Sequence, residues 1–182
     1  MEEKIRNYET MLAVTKEISM SKDPDVVVKL VVENIHKSLK TKGCALFLLN
    51  RKTKELEIAA SSGLSDEYLN KGPISALRSI AQSLEDGPIA IFDVSDDPRI
   101  QYPEAAKNEG IASILSVPIL VRDHPIGALR VYTSDPWEFT MDDVNFVQAL
   151  AQLAGMRIEL ARIYSGMADS IDLLKSKVYE KS

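Results

Sequence analysis

Cysteine and histidine are scarce in this chain, which has one Cys and two His among 182 residues. The lone thiol, Cys44, can form no internal disulfide and cannot supply a cysteine-rich metal site. His36 and His124 are too few for a histidine-ligated metal or haem site to be expected. A composition with so little cysteine favours a reducing cytoplasm, and we expect no metal ligands.

Long apolar runs and basic clusters are also missing. No window approaches the ~18 uninterrupted apolar residues of a membrane-spanning helix, so we expect no membrane segment. The first residues, MEEKIRNYET, are charged, and no apolar segment follows them, so we expect no signal peptide. The net charge of −5, with no Lys/Arg cluster longer than NRKTK, argues against nucleic acid as the main partner.

The chain does contain enough apolar residues, 45% of the total, for one domain with a sizeable core. Apolar spacing predicts helices over 2–21, 24–40 and 74–84 and a long helix from about residue 140, and Asp23 is expected to cap the second. Between them, short apolar runs predict strands. This order of elements predicts an α+β domain, with a largely antiparallel sheet flanked by helices. The predicted strands are GCALFLLN, ELEIAAS, IAIF, SILSVPILV and HPIGALRVY.

Apolar residues recur every seven positions through the last part of the chain. A helix over 142–179 would be about 55 Å long at 1.5 Å per residue, so we expect its end to project beyond a compact domain. Either this end folds back or frays, or it forms a dimer interface with the N-terminal helix. The dimer hypothesis assigns the interface to Ile5, Leu12, Leu160, Tyr164, Met167, Ile171 and Leu174.

Arg130 lies in the predicted strand IGALRVY, where alternation places Ile126 and Tyr132 on the same face. An arginine on a sheet is costly unless it is paired or solvated. The simpler interpretation puts it at the solvent end of the strand or pairs it with Asp93 or Glu138. The alternative is a guanidinium that reaches into a pocket and holds an anion.

The segment DVSDDPR concentrates Asp93, Asp96, Asp97 and Arg99 after a predicted strand. Asp and Pro initiate turns, which explains the segment without a ligand. It lacks the Asp-x-Asp-x-Asp-Gly spacing that would indicate a calcium site. We expect Asp96 or Asp97 to cap a short helix over 102–107.

No side chains are spaced for catalysis. Ser113 and Ser116 lie in a predicted buried strand, where their hydroxyls either bond the backbone or line a pocket. No Gly-x-Ser-x-Gly elbow is present, and no motif places a histidine as a base. Cys44, in an apolar strand, is expected to be a core residue.

Four pieces of the chain, in this order and spacing, resemble the GAF domain, the small-molecule-binding sensory module of phosphodiesterases, phytochromes and bacterial signalling proteins. They are Gly–Ile–x–Ser, Val–Pro–Ile, Ile–Gly–x–Leu and Phe–Thr–x–Asp–Asp, and KGCALFLLNRKTKELEIAASSGL and GPIAIFDVSDDPR extend the resemblance over about residues 8–164. The resemblance implies a GAF/PAS-like central antiparallel sheet of five or six strands. Terminal helices would cover one face, and the segment 60–110 would enclose a pocket on the other.

Departures from the family pattern narrow the choice of ligand. Cyclic-nucleotide-binding GAF domains carry Asn–Lys…Phe…Asp–Glu; Phe139 and Asp143 fit, but Tyr132–Thr133 replace Asn–Lys and Val144 replaces the Glu. We therefore do not expect cyclic nucleotide binding.

Redox and bilin chemistry are not expected either. Bilin-binding members attach the chromophore through a pocket Cys beside a His, whereas Cys44 is remote in sequence from both histidines. GAF-fold reductases of free methionine sulfoxide need a second, resolving thiol, which this chain lacks.

These observations predict a non-catalytic sensory or regulatory module: a cytoplasmic homodimer that binds an unidentified small molecule. Alternatives left open are a ligand-free dimerisation domain, with its pocket filled by its own side chains, and a redox or hydrolytic GAF-fold enzyme. The predicted divisions are an N-terminal helix over 1–22, a GAF-like domain over 23–164 and a helical extension over 165–182. Because the chain ends soon after the long helix, we expect the output to lie in a partner protein or a longer chain. Strand alternation and the usual place of GAF pockets assign ligand binding to Phe47, Asp93, Arg99, Tyr102, Ser113, Ser116, Arg130 and Tyr132.

Overall fold

Two helices open the chain in the computed structural model, which describes residues 2–21, 23–76 and 87–179, apart from the side chains of 2–6, 165 and 168–179. Helix α1 spans Glu2–Met20 and α2 spans Pro24–Leu39. As predicted, the Asp23 carboxylate caps α2, where it accepts a hydrogen bond from the Asp25 N–H at 2.9 Å. Pro24 suits the first turn, where its missing N–H would have no intrahelical partner.

A six-stranded antiparallel sheet forms the centre of the domain, with its described strands in the order β3-β2-β1-β6-β5-β4. The short helix α3 (Asp66–Leu69) follows β2, α4 (Pro103–Glu109) follows β4, and the long helix α5 (Met141–Tyr179) follows β6. This confirms the α+β fold predicted from the sequence. The strands are β1 (Gly43–Asn50), β2 (Glu55–Ser62), β3 (Ile74–Ser75), β4 (Ile89–Ile91), β5 (Ser113–Val121) and β6 (His124–Thr133).

Each face of the sheet has its own apolar core. Helices α1, α2 and α5 cover one face, where residues such as Val31, Leu129 and Leu150 are buried together. The opposite face buries Phe47 and Tyr132 against the segments that carry α3 and α4. Because strand side chains alternate between faces, the same β6 strand serves both cores.

A β-bulge corrects one detail of the predicted alternation. Ile119 of β5 pairs with Gly127, but Leu120 pairs with Pro125, so Ile126 is an extra residue in β6. Ile126 therefore joins the helix-covered core, and not the face of Arg130 as alternation predicted. Gly127 is required beside it, because a Cβ there would lie 2.0 Å from the Phe47 carbonyl oxygen.

Two local predictions were wrong in part. Ile74 and Ser75, where the helix over 74–84 was expected to begin, form the strand β3 paired with β2, and the rest of that prediction lies outside the described part of the chain. The short helix expected over 102–107 is present as α4, but neither Asp96 nor Asp97 caps it. Helix α4 has Tyr102 at its N-cap, with no side-chain cap bond. Asp97 cannot cap it because its carboxylate is occupied by Arg99 at 2.5 Å.

The terminal helices leave an apolar strip uncovered. On α1, Val14 and Ile18 are buried, whereas Tyr8 and Leu12, on the side singled out from the sequence, are exposed. On the described part of α5 beyond Met141, the exposed large apolar residues are Met156, Leu160, Ile163, Tyr164 and Met167. Of the residues assigned to a dimer interface, Ile5, Ile171 and Leu174 lie outside the described side chains.

Candidate ligand pocket

A small cavity lies on the sheet face opposite the terminal helices. Its volume is about 30 Å³, close to the share of one water molecule in the liquid. Strands β3, β5 and β6 supply part of the lining, and the segments around α3 and before α4 supply the rest. The lining residues are Tyr68, Lys71, Ile74, Ile100, Gln101, Tyr102, Ile114 and Arg130.

Arg130 brings a permanent positive charge into this cavity. It lies in mid-sheet, opposite Ala45 on β1 and Ser116 on β5, and these small neighbours leave space for its long side chain. Only 6% of Arg130 is exposed, and its Nε and Nη2 make no hydrogen bond to any described residue. Its guanidinium carbon lies 5.1 Å from the centre of the Phe47 ring, a cation–π contact that compensates only part of the lost hydration.

The sequence-based interpretation of Arg130 as solvent-exposed or paired with Asp93 or Glu138 was wrong. Arg130 is buried in the centre of the sheet, and no described carboxylate forms an ion pair with it. Asp93 is exposed and accepts hydrogen bonds from the N–H and hydroxyl of Ser95, which lower the pKa of its carboxyl.

Lys71 adds a second cation. Its Nζ donates to the Tyr68 carbonyl oxygen at 3.0 Å and lies 3.7 Å from the centre of the Tyr68 ring. Burial, together with the positive charge of Arg130, lowers the pKa of Lys71 to about 8. The charge of Glu109 opposes this shift only weakly.

Two tyrosines border the charged groups. The rings of Tyr68 and Tyr132 meet edge to face, with centres 5.7 Å apart. The Tyr132 hydroxyl is buried close to the Tyr68 hydroxyl and the Arg130 guanidinium, but forms no hydrogen bond of normal geometry with a described residue. Burial raises the pKa of Tyr132 to about 12, so this phenol stays protonated near neutral pH and can donate a hydrogen bond.

The outer rim of the cavity is built around one carbonyl. The Tyr102 hydroxyl donates to the Pro73 carbonyl oxygen at 2.7 Å, and the Gln101 side-chain amide donates to the same oxygen at 3.0 Å. The Gln101 carbonyl accepts from the Ser75 N–H at 3.2 Å. These bonds connect the segment before α4 to β3 and hold Tyr102 over the cavity.

Glu109 is the acidic group that acts on this region, but its carboxylate is already engaged. It accepts hydrogen bonds from the Ser65 N–H and hydroxyl and forms an ion pair with Lys42 at 3.3 Å. Burial alone would raise the pKa of Glu109, but the Ser65 bonds and the Lys42 charge lower it overall. Among the described residues, the cavity therefore has more positive than negative charge near it.

The structure brings together only some of the eight residues assigned to ligand binding. Arg130 and Tyr102 line the cavity, Phe47 lies beside the guanidinium, and Tyr132 and Ser116 lie close to Arg130 on the same sheet face. Whether any of them binds a ligand stays a prediction.

The other three residues lie elsewhere. Asp93 and Arg99 belong to the exposed turn before α4, where Arg99 pairs with Asp97. The buried Ser113 hydroxyl donates to the Phe92 carbonyl oxygen and accepts from the Trp137 N–H at 2.8 Å. Ser113 therefore joins three chain segments and does not line the cavity.

Sequence reasoning missed Lys71, Tyr68 and Gln101. Lys71 and Gln101 lie in irregular segments, and Tyr68 lies in the four-residue helix α3, so no periodicity indicates which way these side chains point. Ile114 was within reach of the sequence, because it alternates with Ser116 on β5 and so shares its face.

Groups for other chemistries are absent from the described residues. Cys44 is fully buried, and burial raises the pKa of its thiol. No described cluster of His, Cys, Asp and Glu could hold a metal ion. None of the helices in the described part of the chain combines the length and the hydropathy needed to cross a membrane.

Comparison with known proteins agrees with the fold. The sequence pattern of the GAF domain family matches residues 23–158. No curated protein sequence matches the chain significantly.

Several solved structures share the architecture. The GAF domain of a phosphoenolpyruvate-protein phosphotransferase from Coxiella burnetii is 21% identical, with a TM-score of 0.80 over 90% of this chain and 98% of that one. Free methionine-R-sulfoxide reductase from Neisseria meningitidis is 17% identical, with a TM-score of 0.74 over 87% and 91%. A methyl-accepting chemotaxis protein is 22% identical, with a TM-score of 0.68 over 83% and 98%. With the family pattern matched over most of its length, the chain belongs to the GAF domain family.

Proposed function

We propose that this chain is a non-catalytic sensory or regulatory GAF module that binds a small molecule in the cavity at Arg130. The observation that carries the proposal is the buried guanidinium, whose Nε and Nη2 have no described partner. A buried charge without hydrogen bonds destabilises the fold, and such groups are found where a ligand completes them. GAF domains occur in signalling proteins, including the chemotaxis protein similar to this chain.

A catalytic role has less support. A thiol acts as a nucleophile through its thiolate, and burial with a raised pKa keeps Cys44 protonated. The likeness to the methionine sulfoxide reductase is one of fold, and a second thiol is missing from the sequence.

The proposal includes a homodimer formed through the terminal helices. On α5, Met156, Leu160, Ile163 and Met167 follow the 4-3-4 spacing of one helix face and are exposed in the single chain. A second copy of the chain could cover this strip on α5 together with the exposed Leu12 on α1. Such a dimer would connect the cavity to a cytoplasmic partner protein through the projecting helix.

The small size of the cavity favours a second candidate function, a dimerisation domain without a ligand. A volume of about 30 Å³ leaves little room beside the Tyr68 and Tyr102 rings. In that case water would solvate Arg130.

The test is to purify the protein without added small molecules, denature it and analyse the released molecules by mass spectrometry. We expect one small molecule at a reproducible ratio to protein, and its loss from Arg130→Gln but not from Arg99→Gln. No released molecule, together with no stabilisation by any metabolite in a thermal unfolding screen, would favour the ligand-free dimerisation domain.

A further inference from the structure

The two nitrogens of Arg130 that lack a described partner are arranged to bind one particular kind of ligand group. Nε and Nη2 are the two nitrogens whose N–H bonds point the same way along one side of the guanidinium, and both lack a described partner. Two parallel donors match the two oxygens of a carboxylate, which accepts both in a bidentate pair. A neutral acceptor such as an amide offers one oxygen and would leave a donor unpaired.

The surroundings of Arg130 favour negative charge. Lys71 lines the same cavity, while Glu109 is bonded to Ser65 and Lys42. The phenols of Tyr68 and Tyr132 are neutral at physiological pH, since burial raises the pKa of both. An anion in the cavity would thus meet two cations, Arg130 and Lys71.

The volume limits the size of the anionic group. About 30 Å³ accommodates a planar carboxylate more readily than a tetrahedral phosphate. Ile74, Ile100 and Ile114 supply an apolar wall, and the small volume restricts the ligand to a very small acid such as acetate.

We propose that the cavity binds the carboxylate of a small organic acid, paired with Nε and Nη2 of Arg130 and close to the ammonium of Lys71. This inference rests on the proposed function and deepens it by naming the class of ligand. A carboxylate would satisfy both donors of Arg130 by itself, whereas a purine-based ligand would also need contacts to its base.

The probes are acetate, the neutral isostere acetamide and inorganic phosphate, each titrated at constant ionic strength while thermal unfolding is followed. We expect acetate to raise the Tm with saturation and acetamide to leave it unchanged. Arg130→Gln should abolish the acetate effect, and Arg99→Gln, which changes a half-buried arginine paired with Asp97 away from the cavity, should keep it. If Arg130→Gln does not fold, Lys71→Gln serves instead and should weaken acetate binding about tenfold through the loss of one nearby charge.

Equal stabilisation by acetate and acetamide would overturn the proposal, as would stabilisation by phosphate alone or an acetate effect that survives in Arg130→Gln. The release experiment separates this failure from that of the proposed function. Release of a neutral molecule from the purified protein would support the proposed sensory function but reject the proposal that the ligand is a carboxylate. No released molecule and no response to any probe would reject both.

Discussion

At the scale of single residues, the unusual feature is a pair of cations on one side of a cavity. Arg130 has no described acidic partner, so the fold carries the cost of burying its charge. Lys71 can lose its proton, and burial together with the Arg130 charge lowers its pKa to about 8. The charge of Lys71 therefore differs between neutral and alkaline pH.

Replacing Lys71 should make this difference measurable. In the unfolded chain Lys71 titrates near 10.5, and in the folded chain near 8, so between these values the unfolded state binds more protons. The free energy of unfolding of the wild type should therefore rise through this window relative to Lys71→Met. Below pH 8 the Met variant should be the more stable one, and its advantage should shrink towards pH 10.5.

Urea unfolding at several pH values measures this effect. Lys71→Arg is the matched variant, because it keeps the charge but does not titrate, and the wild type should gain stability relative to it as well. Parallel curves for all three proteins would contradict the lowered pKa. With acetate bound, the trend should reverse, since an anion binds best when Lys71 is protonated and weakens as pH rises above 8.

At the scale of elements, Asp143 at the start of α5 has a structural role that the family signature does not indicate. Asp143 fits one position of a cyclic-nucleotide signature, but its Oδ2 accepts hydrogen bonds from the Thr140 N–H and hydroxyl, both at 2.9 Å. The Asp143 N–H donates back to the Thr140 hydroxyl at 3.2 Å. This reciprocal arrangement is a capping box, which satisfies backbone donors at a helix start.

Asp143→Ala should lower the free energy of unfolding by about 0.5–2 kcal/mol, the usual range for a lost helix cap. Asp142→Ala is the matched control, since it removes the same charge from the same helix turn. The Asp142 side chain is exposed, so this variant should lose less stability than Asp143→Ala. Chemical denaturation of both variants makes the comparison. An Asp143→Ala protein no less stable than Asp142→Ala would refute the capping role.

The elements also show where sequence patterns stop being informative. Strand β3 has two residues and owes its conformation to its pairing with Leu56 and Glu55 of β2. Its local sequence matches a helix equally well, because Ile74 and Leu77 have helical spacing. The bulge at Ile126 likewise follows from the pairing of β5 with β6, which no local window contains.

At the scale of the whole molecule, the long helix α5 extends for 39 residues, about 58 Å at 1.5 Å per residue. Its first half is buried against the sheet, and the described exposed strip ends at Met167, of which 56% is exposed. A strip of this kind is expected to pair with a second copy.

Met167→Glu should weaken dimer formation at least tenfold, because a charge within an apolar helix interface loses its hydration. Met141→Glu is the matched control at the other end of the same helix, where Met141 is also exposed. Size-exclusion chromatography with light scattering over a range of concentrations gives the association state. A monomeric wild type, or equal association of both variants, would rule out this interface.

The sequence by itself determined the family and most of the order of the helices and strands, with β3 as an exception, because periodic burial and ordered short motifs recur along the chain. Alternation also placed Arg130 and Tyr132 on one face of β6. Tertiary structure alone decided that Arg130 lacks an acidic partner among the described residues, and that Tyr68 of α3 and Lys71 just after it line the same cavity. The physical reason is that the pairing of charges and hydrogen-bonding groups depends on which side chains come into contact in the folded protein. These residues are far apart in the sequence, and the sequence pattern does not show which of them meet.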